Sequence, residues 1–334
     1  MLFFPLPLPR RRVSVRLPAT ALTGHHLSRW QSTTGRASTS NTPKVIPDRM
    51  TVLPSRQLSA LLDDIVPSTA TVDAVGSRPV LPPGAHLVYF PPLVGASRLA
   101  PDGAEADHVP PGFPIDTLRE EEQGKAPPSL PGRRLWAGGD VVFHPGWTDR
   151  LLLDGRAWTC TETIGRVDEG GDKSVVDIVR RYGRPGDGVP DISETRTLVF
   201  VRGGSSTPSS RVVKFPRQPT ASHPFSVSHT HLFHFSALTY NAHFIHLDRS
   251  PAALVHGPLL LAMMLRALGR SDAHSETTVQ SISYRNLAPL HVDQPGRLCV
   301  RGPEPDAGNV WDIWVEGPGG GMVARGRAHM DSPP

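Results

Sequence analysis

Seven of the fifteen histidines, His223, His229, His231, His234, His243, His246 and His256, fall within 34 residues. An imidazole titrates near neutral pH and ligates metals, so such a cluster raises two chemistries, proton transfer and metal binding. His229-Thr230-His231 places two rings on one face if the segment is a strand, but no Glu follows at the spacing such metal sites use, and no complete ligand set is visible. Those two, with His223 and His234, read as surface or packing histidines, and no metal is expected. The sharper pattern is Tyr240-Asn241-Ala242-His243-Phe244-Ile245-His246-Leu247-Asp248, followed ten residues after His246 by His256-Gly257-Pro258. His246 can take or give a proton, His243 and His256 are further candidates, and Asn241 can hydrogen-bond but cannot exchange a proton as a carboxyl group does. If Gly257 opens a helix, its backbone N–H and the helix dipole favour negative charge there, and the missing side chain lets a ligand approach closely. Singly, each residue has an ordinary explanation: strand or cap histidines, a turn-forming Asn, a plain helix start. Their joint order and spacing point to a site.

The elements that must position these residues are legible on both sides of them. Pro258 suits the first position of a helix over Leu259–Leu268, and Gly269 suits its end. Only Arg266 is polar in that run, so the helix must be buried on most sides, and it is too short to cross a bilayer. Strands are expected at Thr278–Tyr284, Gly296–Arg301, Asn309–Glu316 and Met322–Met330. Upstream, Ser55 could cap a helix carrying Leu58, Leu61, Leu62 and Ile65. Residues 77–134 are rich in Pro and Gly around one apolar island, His86–Phe90, with a long loop from Ala100 to Pro131. Strands then follow at Asp140–Phe143, Ala157–Val167, Lys173–Tyr182 and Thr195–Arg202, with Glu169-Gly170-Gly171-Asp172 as a hairpin signal. Residues 203–222 join this meander to a second module that begins with Ser226–Ser236. An antiparallel sheet wrapped around one apolar helix is the hotdog arrangement, an α+β fold, although the same physics permits other α+β wraps.

The chain has 334 residues and a formal charge of +4. The first 47 residues hold seven of the basic side chains and no Asp or Glu, so the rest, with 28 basic and 31 acidic residues, is net −3. An acid-free, Arg- and Ser/Thr-rich leader has the composition of a mitochondrial presequence, and Arg29-Trp30-Gln31-Ser32 resembles a processing site. The competing reading is a basic tail that binds nucleic acid or a membrane surface. Pro5, Pro7 and Pro9 break the stretch a secretory signal would need. No apolar run approaches the roughly 18 residues of a bilayer span. Cys160 and Cys299 share no metal-type spacing and read as buried thiols.

The stretch from Tyr240 to Asp248 with the downstream His256-Gly257 resembles the hydratase-2 motif of MaoC-like enoyl-thioester hydratases and dehydratases, Asp-x-Asn-Pro-x-His-x-Asp with a later His-Gly before the hotdog helix. Asn241 stands at the position of that motif's catalytic Asp, His243 at its Asn, His246 at its catalytic His, and Phe244 replaces its Pro. Together with Leu81-Pro82-Pro83-Gly84, His86-Leu87-Val88-Tyr89-Phe90-Pro91-Pro92 and Arg133-Arg134-Leu135-Trp136-Ala137-Gly138-Gly139, this variant resembles the mitochondrial type-2 hydroxyacyl-thioester dehydratases and the related mesaconyl-C4-CoA hydratases, over roughly residues 55–330.

The resemblance implies a double hotdog: a presequence and linker over 1–47, a degenerate N-terminal unit over 48–205 and a catalytic unit over 223–330. It implies a hydro-lyase acting in the mitochondrial matrix on 3-hydroxyacyl or enoyl thioesters of CoA or acyl carrier protein, with no cofactor. The metabolic role is fatty acid synthesis or hydration of a short dicarboxyl CoA ester such as mesaconyl- or itaconyl-CoA. Catalysis falls to Asn241, His246 and Gly257, with His243 a second proton donor or substrate contact and His256 a further one. The partners are the thioester substrate, with no nucleic acid and no membrane span, and a second copy of the chain in a homodimer as an open option. Two alternatives stand beside this: a catalytically silent hotdog that binds acyl thioesters, and a thioesterase using Asp248 to activate water. Trp136 is either core or a wall of the acyl tunnel. Arg285 and Arg301 are either phosphate contacts or solvated strand ends, and Trp311 and Trp314 should face opposite sides, one core and one interface.

Overall fold

The computed structural model describes residues 42–67, 79–115, 132–202, 212–248, 252–269, 278–304 and 308–331. The helix that composition demanded to be buried is α5, Gly257–Leu268, and ten of its twelve residues are buried, Arg266 being the polar exception. Arg266 reaches out of the core to donate from Nε to the Val66 carbonyl (3.0 Å) and from Nη1 to Ser59 Oγ (3.0 Å), at the end of α1, Val52–Ile65. A cation there also meets the negative end of the α1 dipole.

Ten strands form one antiparallel sheet around this helix. They are β1 (Lys44–Arg49), β2 (Arg133–Phe143), β3 (Ala157–Glu169), β4 (Lys173–Gly183), β5 (Ile192–Val201), β6 (Ala221–Ser226), β7 (Val279–Asn286), β8 (Pro295–Arg301), β9 (Val310–Glu316) and β10 (Met322–Met330). Their spatial order is β1-β3-β4-β5-β2-β7-β10-β9-β8-β6. Read outward from the β2–β7 joint, each half presents its second, fifth, fourth, third and first strand in turn. The halves thus repeat one topology and join through equivalent strands, as a double hotdog does.

The joint depends on two glycines. Gly138 and Gly139 pair with Arg285 and Tyr284 on β7, at φ +145° and +156°, just after a register shift at Trp136. A Cβ at Gly138 would lie 2.3 Å from the Tyr284 carbonyl oxygen, and one at Gly139 would lie 1.9 Å from that of Thr195. Only glycine lets β2 pass between β5 and β7 with this twist.

Against α5 the N-terminal half packs a 3-10 turn, Ala85–Val88, led in by Gly84 in the left-handed region. A Cβ on Gly84 would touch Ala262 and Leu265 of α5 at 3.4 Å. One long apolar helix therefore serves both halves, and its leucines share a core with Tyr89, Phe143, Trp158 and Tyr182 of the N-terminal half.

Several expectations change. His229-Thr230-His231 is not a strand but the first turn of α3, His229–Thr239, the helix that follows the one-turn α2, Trp147–Arg150. Ser228 caps it by accepting from the His231 N–H (3.4 Å), while His231 Nδ1 accepts from the Ser228 N–H (3.1 Å). The joining segment ends earlier than residue 222, because β6 begins at Ala221 and pairs with β8. Lys44–Pro47, assigned to the leader and linker, pair with β3 as part of β1, which fixes the start of the folded unit before residue 48. Trp314 does face away from the main core, but Phe215 of the same chain stacks on it at 4.0 Å, so it is covered from within. Both cysteines are buried and free. Residues 1–41, most of the stretch expected to be a presequence and linker, and 116–131 of the long loop lie outside the described residues. Among the described residues no helix is long and apolar enough to cross a membrane.

Candidate active site

The motif turn begins where α3 ends. Tyr240 takes a left-handed conformation (φ 54°, ψ 36°) and reverses the chain, and the Asn241 N–H donates to the Ser236 carbonyl (2.9 Å). Asn241 Oδ1 then accepts from the His243 N–H (3.0 Å), an Asx turn that leads into the short helix α4, Phe244–Leu247. With its oxygen held in that turn, Asn241 offers the amide NH₂, a donor, to anything that enters the site.

His246 lies on α4 with Nδ1 2.7 Å from the Leu254 carbonyl oxygen. A carbonyl only accepts, so Nδ1 carries the proton and Nε2 is left as a lone pair. Removal from water pushes the His246 pKa down to about 3, against the raising effect of that hydrogen bond, and His243 lowers it further. His256 is fully buried before α5, with Nε2 2.9 Å from Ser236 Oγ, and its ring stacks on His246 at 3.6 Å. Burial, and next the neighbouring His246 and His243, hold its pKa well below the ordinary imidazole value. His246 and His256 are therefore neutral at physiological pH.

Gly257 opens α5 in a tight wedge. A Cβ there would lie 2.6 Å from Asn286 Nδ2 and 3.0 Å from Trp136 Cβ. Asn286 Nδ2 donates to the Trp136 carbonyl (2.9 Å) and Trp136 Nε1 to the Tyr284 hydroxyl (2.7 Å), so β2 and β7 hold the indole against the helix start.

These pieces border one cavity of about 150 Å³ that opens to solvent. Asn241, His243, His246 and Pro258 line it from the C-terminal half, and Leu87, Phe90, Arg134, Trp136, Arg180 and Arg196 from the N-terminal half. Trp136 is thus both a core contact and a cavity wall. His256 and Gly257 stand behind this lining, beside His246 and Pro258.

The wall from the N-terminal half is charged, and its charges are paired. Arg134 grips the Asp102 carboxylate with Nε (2.7 Å) and Nη2 (3.1 Å). Arg180 Nε faces Glu162 (3.2 Å), which also meets His108 Nε2 (3.0 Å), and Arg196 Nε faces Glu194 (2.9 Å), which accepts from the Tyr182 hydroxyl. Burial alone would raise both glutamates; the His108 bond and Arg180 hold Glu162 at about 2, and Arg196 with His86 holds Glu194 at about 2. Glu105, His108 and Glu162 approach one another within 4.8 Å, as metal ligands would. Both His108 nitrogens, however, face carboxylates, and Arg180 and Lys44 already neutralise Glu162 and Glu105, so the trio is a closed ion-pair network.

Of the residues singled out in the sequence, Asn241, His243, His246, His256 and Gly257 come together. His223, His229, His231 and His234 do not line the cavity, nor does Asp248, which is exposed. Arg285 is an exposed strand residue, and Arg301 pairs with Glu304 away from the cavity. Asp102, Arg180 and Arg196 carry no sequence signal of their own; Arg134 belongs to the Arg133–Gly139 motif, which by itself points to no role for it.

Residues 84–292, more than half of the chain, match the family model described as Hydroxyacyl-thioester dehydratase type 2. Among characterised proteins, the chain is 29% identical over 274 residues to mesaconyl-C(4)-CoA hydratase of Chloroflexus aurantiacus, covering 78% of this chain and 88% of that protein. It is 24% identical over 323 residues to the mitochondrial hydroxyacyl-thioester dehydratase type 2 of Schizosaccharomyces pombe, covering 85% and 98%. Its fold is similar to that of a MaoC-like dehydratase from Phytophthora capsici, with TM-score 0.57, 14% identity and coverage of 88% and 96%.

Proposed function

The chain belongs to the type 2 hydroxyacyl-thioester dehydratase family, and from that premise we propose that His246, Asn241 and the Gly257 end of α5 add water to, and remove it from, an enoyl or 3-hydroxyacyl thioester. The observation that carries the reading is His246: its Nδ1–H is held by Leu254, its Nε2 is bare, and it shares a cavity with Asn241 and the start of α5.

Hydration forms a C3–O bond, breaks an O–H bond of water and leaves an enolate that takes a proton at C2. His246 Nε2 accepts the water proton as the oxygen attacks C3. The Asn241 amide NH₂ donates to that oxygen and fixes its position. The Gly257 N–H and the dipole of α5 stabilise charge on the thioester oxygen, a kind of interaction worth about 10² to 10³ in rate. Dehydration runs the same steps backwards.

The proposed substrate is a fatty acyl thioester of acyl carrier protein or CoA, and the proposed setting is mitochondrial fatty acid synthesis in the matrix. The acid-free leader and the S. pombe relative support the setting. A second reading, a short dicarboxyl CoA ester, draws on the C. aurantiacus relative. A homodimer is part of the proposal, supported by exposed Phe233, Tyr240 and Leu247 on α3, its cap and α4, and light scattering of the full chain checks it.

The test is loss of enoyl absorbance when the full chain meets crotonyl-CoA, mesaconyl-CoA or a long-chain enoyl thioester. Hydration abolished by His246→Ala supports the reaction, and the preferred substrate selects the role. Free thiol release in place of hydration would indicate a thioesterase; tight thioester binding without turnover would indicate a binding module.

A further inference from the structure

Asn241 leaves the site short of the carboxylate that its motif position holds in the hydratase pattern. We propose that the N-terminal half supplies one instead: Asp102 acts as the positioning residue for His243, which serves as the second proton-transfer group. This rests on the reaction proposed above.

Asp102 is buried, and its Oδ2 lies 2.7 Å from Arg134 Nε and 3.3 Å from His243 Nε2. Its Oδ1 accepts from Arg134 Nη2 (3.1 Å) and the Ala104 N–H (3.1 Å). The loop is also latched to the motif turn through its backbone, where the Phe244 N–H donates to the Asp102 carbonyl (3.1 Å). Beside it, Gly103 at φ +81° passes so near that a Cβ would lie 2.2 Å from the Ala242 carbonyl oxygen. Three separate attachments thus bring this loop of one half onto the turn of the other.

A carboxylate accepts only, so the contact places a proton on His243 Nε2. The other nitrogen, Nδ1, is buried without a hydrogen-bond partner on a residue that lines the cavity, 5.7 Å ring to ring from His246. The charged and titratable groups facing His243 are Asp102, Arg134 behind it, His246 and His256. Asp102 is held below its usual range despite burial, by the His243 bond first and Arg134 next. Burial keeps the neighbouring His246 and His256 neutral.

In hydration, His246 Nε2 takes one proton from water as the C3–O bond forms. His243 gives the Nδ1 proton to C2 as the enolate collapses, becoming neutral with Nε2–H still on Asp102. The surplus proton on His246 returns to His243 through solvent, restoring both rings. No oxidant or further reactant is needed.

The test uses the full chain with crotonyl-CoA. Asp102→Asn should lower kcat by roughly 10²-fold, the low end for loss of a proton-transfer group. KM should stay within about twofold. Asp102→Glu should recover part of kcat. Long-range ¹⁵N–¹H spectra should show His243 carrying a proton on Nε2 in the wild type. Should Asp102→Asn fail to fold by circular dichroism, His243→Gln decides, with the same loss expected. An active wild type whose kcat is untouched by Asp102→Asn or His243→Gln, or a His243 protonated on Nδ1 alone, overturns the proposal. A wild type inactive on every enoyl thioester overturns instead the reaction it rests on, and the spectra still report the Asp102–His243 pair.

Discussion

If His246 is the base, the enzyme should tolerate acid that would silence an ordinary histidine. The perturbation is a change of pH from 7.5 to 5.0. An imidazole with a pKa near 6.5 is only about 3 % neutral at pH 5, whereas one lowered to about 3 is about 99 % neutral. The sign follows from the role: a base works in its neutral form, so kcat/KM is full above its pKa and lost as pH falls through it. Desolvation at the cavity and the neighbouring His243 both oppose charging the ring, against the hydrogen bond to the Leu254 carbonyl. The acid limb should therefore lie far below 6.5, and kcat/KM at pH 5.0 should stay within about twofold of its value at pH 7.5. An unshifted histidine would lose about 30-fold. Crotonyl-pantetheine is the substrate of choice, because it lacks the titrating phosphate of CoA, and circular dichroism at both pH values verifies that the fold survives. An acid limb near 6.5 in folded protein would refute the assignment of His246 as a desolvated neutral base.

Three further outcomes are expected. His86 is fully buried with both ring nitrogens unpartnered, and burial pushes its pKa down to about 4, Glu194 opposing and Arg196 adding to the effect. Because the folded value lies below the unfolded one, its contribution is full above pH 6.5 and is lost as pH falls toward 4. Urea denaturation should show about 2 kcal/mol of stability lost from this residue between pH 7.5 and 5.0. His86→Phe should flatten that dependence by the same amount, and an unchanged dependence counts against it. Gly257→Ala should stabilise nothing: displacing Asn286 and Trp136 should cost roughly 1 to 3 kcal/mol in urea and lower kcat by at least tenfold, with retained kcat removing Gly257 from the site. Gly139→Ala meets backbone at 1.9 Å at a positive φ, so a loss of about 3 kcal/mol or more, or no folded protein, is expected; a normal melting curve would contradict the described seam.

The α5 run could be recognised because a helix apolar on every side has only one place to go, and the strands because alternation at period two survives in any sheet with one wet face. The order Asn241, His243, His246, His256, Gly257 was legible for a related reason: a turn, a four-residue helix and a helix start are local, and their spacing sets which groups meet. Local pattern failed at α3, where alternating histidines imitated a strand and the Ser228–His231 capping pair decided for helix. It failed again at β6, where Pro224 and a short polar strand hid an edge that pairs only with β8.

What composition and spacing determined, then, is the presence of the apolar helix, the meanders on either side and one half of the cavity. Tertiary structure alone decided the other half. Asp102 reaches His243, and Arg180, Arg196 and Trp136 reach the cavity, because β2 joins β7 at two glycines and brings the halves face to face. Contacts between residues so distant along the chain depend on strand register and twist, which leave no periodicity in the sequence, and a buried arginine reads there like any exposed one until its carboxylate is seen beside it.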